Sequence, residues 1–289
     1  MKNLIISLLF AVGIMIVVTS CESMISNVEV PPSEPKIVVT GFLSPDDDTI
    51  KIIVRKSRAL YVQSQGWENQ FPIVNNATVT LSDGASSVIL PFDSQSACYK
   101  ILSSSMPVIP GKTYFLEVTT PEGHKATSSC VVPERIGNGI VSEIEITSID
   151  TINQYGSAMK VSFRFRDIPG NGNFYRISAG AFINYEYFTE PYFQEIGFER
   201  GENFVTDKNK EDNYFNFRTH EIYLYDSENI ALYISLMLTD ENYYNYHKSI
   251  YSFEGDNPFS EPTPVFTNIN GGLGVFGAVN WRIDAVFAL

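Results

Sequence analysis

From Lys36 to Pro133 short apolar runs recur between turn-forming residues, and no stretch of useful length repeats its apolar positions at three and four. Period-two alternation over such short runs belongs to strands with one buried face. The runs predict strands at Ile37 to Leu43, Thr49 to Lys56, Ala77 to Ser82, Ser87 to Phe92, Cys98 to Leu102, Thr113 to Thr119 and Lys125 to Val132. In Thr49 to Lys56, Ile50, Ile52 and Val54 alternate with Lys51, Ile53 and Arg55, so one face is wet. Asp83-Gly84 and Glu122-Gly123 read as turns between paired strands.

Seven strands in about 100 residues fit an immunoglobulin-like or transthyretin-like β-sandwich over residues 36–135. The string Pro110-Gly111-Lys112-Thr113-Tyr114 resembles the Gly-x-x-Tyr corner of such modules. Residues 136–289 read as a second, aromatic-rich β domain entered through Gly137-Asn138-Gly139. Strands are expected at Ile140 to Ile149 and Met159 to Arg166, and Asn213 to Tyr225 is expected to pair with Ile230 to Leu238 through Asp226 to Asn229. Thr239 or Asp240 then caps one short helix, because Tyr243, Tyr246, His247, Ile250 and Phe253 recur at spacings of three and four and Gly255 ends the run. The expected fold class is mainly β.

The tail Gly272-Leu273-Gly274-Val275-Phe276-Gly277 satisfies G-x-G-x-x-G. A dinucleotide fingerprint must follow a strand, open a helix and have an acid about 20 residues on, whereas the residues after Gly277 read as a strand that ends the chain. These glycines are expected to permit tight turns and close backbone approach.

At the N-terminus Lys2 precedes an apolar run from Leu4 to Val18, with Thr19 and Ser20 after it. The run is short against the roughly 20 residues that cross a hydrocarbon core, and its three parts are those of a secretory signal over residues 1–20. The string Val18-Thr19-Ser20-Cys21 resembles a bacterial lipobox. The resemblance implies lipidation of Cys21, and so an anchor in the lipid bilayer without a spanning helix. Residues 21–35, with Pro31, Pro32 and Pro35, read as an extended tether.

Lys and Arg number 20 against 33 Asp and Glu, a net charge of −13, so the chain lacks the surplus cations that displace counterions from nucleic acid. Nucleic acid is not an expected partner. Cys98 and Cys130 fall on strand-like segments of one region; in an oxidising compartment they read either as a disulfide or as two buried thiols.

The loop from Ser57 to Val74 carries Tyr61, Trp67 and Phe71, and Tyr185, Tyr187, Phe188, Tyr192 and Phe193 crowd together among Glu186, Glu190 and Glu195. Aromatic faces beside carboxylates suit a glycan, which makes Trp67, Tyr185, Tyr187 and Tyr192 candidate ligand-binding aromatics. The competing reading is that aromatic side chains are favoured in strands and fill cores. The carboxylates are also the candidates for a glycosidase pair. His124, His220 and His247 have no metal-binding spacing and no G-x-S-x-G elbow exists; Asp46-Asp47-Asp48 reads as a solvated turn. No catalytic residue, metal or cofactor is expected. Asp48-Thr49-Ile50 and Asp150-Thr151-Ile152 resemble bacterial O-glycosylation acceptors, at Thr49 and Thr151.

The closing segment carries the most specific likeness. Tyr243-Tyr244-Asn245-Tyr246, Phe259-Ser260-Glu261-Pro262, Val265 to Asn268 and Gly271 to Gly277 together resemble the end of a Bacteroidetes lipoprotein family of unknown function, the domain-of-unknown-function 4249 family. Ile37 to Gly41, Asn76 to Val79 and Pro110 to Tyr114 agree with it. The resemblance covers essentially the whole mature chain. It implies an outer-membrane lipoprotein that acts as a non-enzymatic binding or accessory subunit beside a TonB-dependent nutrient transporter. A secreted glycan-active enzyme and a structural or adhesive surface protein are the alternatives, and both the periplasmic and the surface face of the membrane stay open.

Overall fold

The computed structural model describes residues 34–58, 72–134, 144–152, 158–170, 172–185, 189–201, 203–208, 213–223, 227–251 and 264–288. Residues Pro35–Leu289 form one compact unit, and it is mainly β. Among the described residues no helix is long and apolar enough to cross a membrane.

The first half holds β1 (Ile37–Leu43), β2 (Thr49–Lys56), β3 (Thr78–Ser82), β4 (Ser87–Leu90), β5 (Phe92–Asp93), β6 (Cys98–Leu102), β7 (Thr113–Thr119) and β8 (Lys125–Val131). The expected strand Ser87 to Phe92 is broken at Pro91, which has no N–H for a ladder. The second half holds β9 (Glu145–Thr151), β10 (Ala158–Arg166), β11 (Phe174–Tyr185), β12 (Tyr192–Ile196), β13 (Phe204–Thr206), β14 (Tyr214–Arg218), β15 (Ile222–Tyr223), β16 (Ser227–Thr239), the helix α1 (Glu241–Tyr251) and β17 (Leu273–Ala288).

One long sheet runs β12-β11-β16-β17-β1-β2-β6-β5, with β13 beside β12 on the outer edge of β11. Two four-stranded sheets complete the fold, β4-β3-β7-β8 and a second in which β10 pairs with β9, β14 and β15. Two hydrophobic cores result. The first lies between β1, β2 and β6 and the β3-β7-β8 layer, with Val39, Ile52, Val79, Leu81 and Val118 fully buried. The second lies between β11 and β16 and the β10-β14 layer, around Phe163, Phe165, Tyr175, Leu232 and Leu236.

The sheet is continuous where the cores are not. β17 pairs in parallel with β1, from Val38↔Leu273 to Leu43↔Ala278, and antiparallel with β16, from Ala231↔Ala288 to Thr239↔Val279. Its Phe276 and Ala278 belong to the first core, and Ala285 and Phe287 pack on the second. Residues up to Val132 feed the first core and those from Ile144 to Leu238 the second, while the last strand ties the first strand to the second half.

One expected pairing is corrected. Asn213 to Tyr225 does not pair with Ile230 to Leu238: β14 pairs with β10, and β16 lies between β11 and β17. Ile230, Leu232, Ile234, Leu236 and Leu238 face the second core, and β14 meets them across that core with Phe215 and Phe217 instead of sharing their sheet.

Tyr114 fits the expected corner. Its hydroxyl donates to the Pro107 carbonyl at 2.6 Å and accepts from the Ile109 N–H at 2.8 Å. Tyr99 does the same for the neighbouring chain, donating to the Val74 carbonyl and accepting from the Ala77 N–H, both at 2.8 Å. Both rings are buried, and each polar tip is satisfied by backbone, as a buried phenol requires.

Candidate functional site

Strand parity decides what the second half shows on its outer surface. In β11 the residues Tyr175, Ile177, Ala179, Ala181 and Ile183 face the core, so Phe182 points the other way; in β16 Tyr233 does so. β12 adds Phe193, opposite Phe182 in register. The rings meet, with Phe182 and Phe193 centroids 5.0 Å apart and Tyr233 6.1 Å from each. Gly180 makes this possible, because the Phe193 ring occupies the space a β-carbon there would need. Val286 of β17 extends the patch, next to Tyr233 in register.

Two of the predicted aromatics fall on the opposite face, where Tyr185 packs against the second core and Tyr192 is the register partner of the core-facing Ile183. Tyr185 closes β11 and Tyr192 opens β12, and their rings lie 6.4 Å apart. Tyr192 is 57% exposed and Phe193 46%. Trp67, Tyr187 and Cys21 lie outside the described residues, as does Glu186. The sequence singled out Tyr185 and Tyr192 from the local density of aromatics but missed Phe182 and Tyr233. The signal for those two is parity: each alternates with a run of aliphatic neighbours and so stands on the opposite face.

The other end of the same surface is covered by α1. Phe174, Phe204, Tyr243 and Tyr244 form a small cluster, with Phe42 and Val279 against it. Of the two expected caps, Asp240 starts the helix: its Oδ1 accepts the Tyr243 N–H at 2.8 Å. Asp240 is only 7% exposed, and its Oδ2 has no partner. Burial pushes its carboxyl up to about 6, against hydrogen bonds from Tyr243 and Ala278 that pull it down. Asn242 in the first turn donates to the Ser129 carbonyl at 3.0 Å, and Asn268 donates to the Phe276 carbonyl at 2.7 Å while accepting the Phe276 N–H at 3.0 Å. These amides stitch the helix start to β8 and β17.

His247 sits in this cluster, its ring 4.2 Å from Tyr243 and 5.4 Å from Phe42. Burial, with Arg176 nearby, pushes it down to about 4. Arg176 donates to the Tyr243 hydroxyl at 2.6 Å. The cluster is a packed support: its polar atoms hold neighbouring elements, and its aromatic rings seat the helix.

The remaining candidates are dispersed. Thr49 opens β2 and Thr151 closes β9 on an exposed position. Cys98 is in the long sheet and Cys130 in the sheet facing it; both are buried and free. The Cys98 sulfur lies 3.2 Å from Ser96 Oγ, and burial followed by the charge of Asp240 raises the Cys130 thiol well above its ordinary range. Among the described residues no group of three or more His, Cys, Asp or Glu could hold a metal ion. The glycine-rich tail serves packing. Gly271 and Gly274 have φ of +80° and +103°, and β-carbons on Gly271, Gly272 and Gly274 would press into the carbonyls of Lys125, Ile37 and Val39. One on Gly277 would lie 3.1 Å from the Tyr243 nitrogen at the start of α1.

What the outer face offers chemically is a broad, shallow aromatic surface of Phe182, Phe193 and Tyr233 with Val286 beside it. Such a surface gains free energy by removing apolar area from water against a partner of similar breadth. The sequence model of a family described as "Domain of unknown function (DUF4249)" matches residues 25–283. No curated protein matches the chain.

Proposed function

The chain belongs to the DUF4249 family, whose description assigns no activity, and on that footing we propose that it is a non-enzymatic binding or accessory subunit of a TonB-dependent nutrient uptake system, held at the outer membrane of a Bacteroidetes cell by lipid on Cys21. The observation that carries this reading is the aromatic face of β11, β12 and β16. Phe182, Phe193 and Tyr233 form one contiguous ring cluster with Val286 beside it, and Phe193 and Val286 are 46% and 60% exposed. Contiguous exposed apolar surface of this kind marks a protein contact more often than a small-molecule site. The facing sheets of the first half, with the Tyr114 corner, are in this reading an immunoglobulin-like or transthyretin-like spacer.

Affinity purification of the full lipidated protein from its own outer membrane tests the reading. Cys21→Ala separates lipid-dependent background, and a Phe193→Ala, Tyr233→Ala double variant disables the face. Recovery of one transporter in stoichiometric amount, lost in the double variant, is expected. Recovery of no transporter, or equal recovery with the double variant, overturns it. The exposed Phe193 and the exposed Glu195, which share the outer face of β12, favour one second reading, glycan binding on that face; affinity electrophoresis in polysaccharide gels would show retardation abolished by the same variant.

A further inference from the structure

β13 and β14 are both edge strands, one of the long sheet and one of the β10 sheet, and both line a cavity of about 640 Å³. In an antiparallel pair, alternate residues turn their N–H and C=O toward the partner and the others turn theirs away. The Thr219 N–H donates to the Val161 carbonyl at 3.0 Å and the Asp167 N–H to the Asn213 carbonyl at 2.7 Å. Odd-numbered residues along β14 therefore bond to β10, and Asn216 and Arg218 present their backbone groups to the open edge. The Glu199 N–H, at 2.9 Å, takes up the Arg218 carbonyl. In β13 the Ile177 N–H donates to the Asn203 carbonyl at 2.8 Å and the Asp207 N–H to the Asn173 carbonyl at 3.3 Å. Phe204 and Thr206 accordingly turn their backbone groups outward.

The cavity combines these edges with an apolar floor and a charged rim. Phe163, Phe198 and Phe217 reach it, with Phe217 5.3 Å from Phe163 and 5.2 Å from Phe198. Glu199 on the rim is neutralised by Lys160 at 2.8 Å and Arg218 at 3.5 Å, and the bond from Lys160 lowers its carboxyl below the ordinary range. Arg218 also meets Asp150 at 2.8 Å. Arg200 and Lys248 have no carboxylate partner among the described residues, so the rim is locally cationic in a chain of net charge −13.

We propose that this cleft binds an extended peptide segment of another protein, added as a strand along β14, with apolar side chains alternating onto the phenylalanine floor and acidic residues toward Arg200 and Lys248. Strand addition satisfies open backbone groups and reads alternate side chains. Each element of that recognition is present: an edge at Asn216 with no strand partner among the described residues, an apolar floor, and cations at the rim. The cavity volume lies within the usual range for binding sites, about 300 to 1,000 Å³. β14 is a strand of five residues, and at about 3.3 Å per residue it offers an edge of roughly 17 Å. The cleft shares no residue with the Phe182–Phe193–Tyr233 face, so this inference stands apart from the function proposed above.

The test is fluorescence anisotropy with the full lipidated protein in detergent and a labelled Asp-Val-Thr-Val-Thr-Val-Glu-Asp peptide, alongside the same peptide N-methylated at alternate residues. Saturable binding of the parent and a loss of about tenfold or more on N-methylation are expected, since each backbone hydrogen bond removed leaves its partner unsatisfied. Asn216→Pro removes the outward N–H without touching the β10 ladder, as proline permits on an edge, and should weaken binding about tenfold, whereas Asn216→Ala stays within about twofold. Arg200→Glu should weaken the acidic probe and lessen its salt dependence. No saturable binding up to about 1 mM, or equal binding of the N-methylated peptide to the unaltered protein, overturns the proposal whatever the folding of the variants.

Discussion

Gly274 lies so close to Val39 that a β-carbon on it would overlap the Val39 carbonyl oxygen, and its φ of +103° is one that residues with side chains rarely adopt. The two are register partners in the parallel pairing of β17 with β1. Gly274→Ala combines backbone strain with overpacking and is expected to destabilise the protein by about 3 kcal/mol or more. Gly123→Ala is the control. Gly123 has φ of +90° but nothing within 4 Å of a β-carbon, so only the backbone term of about 1 to 2 kcal/mol applies. Urea midpoints measure both; equal losses would remove close approach as the cause.

Asp240 gives stability a pH dependence. Its ordinary value is 3.8 and its folded value about 6, raised by burial. Between those values the folded state holds a proton that the unfolded state has lost, so this residue's contribution falls as pH rises from about 4 to 6. At about 1.4 kcal/mol per tenfold, the penalty reaches about 3 kcal/mol above pH 6. Asp240→Asn keeps a helix-capping oxygen and removes the charge. Its stability relative to the unaltered protein should rise by about that amount from pH 4 to pH 7 in urea titrations; a difference that does not vary with pH would show that Asp240 is not buried as described.

His247 acts in the opposite sense. Burial holds it at about 4, below its ordinary 6.5, so the unfolded state binds a proton first as pH falls. Its contribution is present above pH 6.5 and is lost as pH falls toward 4. Between about pH 4 and 6 this slope opposes that of Asp240. His247→Phe should leave stability falling more steeply with rising pH across that window. Curves parallel to the unaltered protein would mean that the ring is not held neutral.

Cys98 and Cys130 are expected to titrate as two thiols. In the Cys21→Ala variant, without reductant, Ellman reagent should find none in the native state and two in denaturant, because both side chains are buried and free. No reactive thiol in denaturant would instead establish a bond between them.

The candidate face was partly legible in the sequence. Aromatic density marked Tyr185, Tyr192 and Phe193 alike, but density does not tell which face a ring takes, and of these three only Phe193 lies on this one. Phe182 and Tyr233 became visible only once Ala181, Ile183, Leu232 and Ile234 were seen in the core. The peptide cleft left no local trace at all. Its edges exist because β14 and β13 each have a neighbour on one side only among the described residues, a property of pairing that no residue in either strand encodes.

The sequence by itself determined many of the elements, though not β11 to β13: strands such as Thr49–Lys56 from alternation, the helix from its spacing with a cap at Thr239 or Asp240, the Tyr114 corner, and glycines where backbones must touch. These depend on the geometry of a few consecutive residues. Only the tertiary structure decided that β17 lies between β1 and β16, that β14 joins β10, and that one sheet spans two cores. Backbone hydrogen bonds are the same for every residue, so an apolar face says that a strand is buried but not beside which strand. That choice falls to the packing of both cores at once.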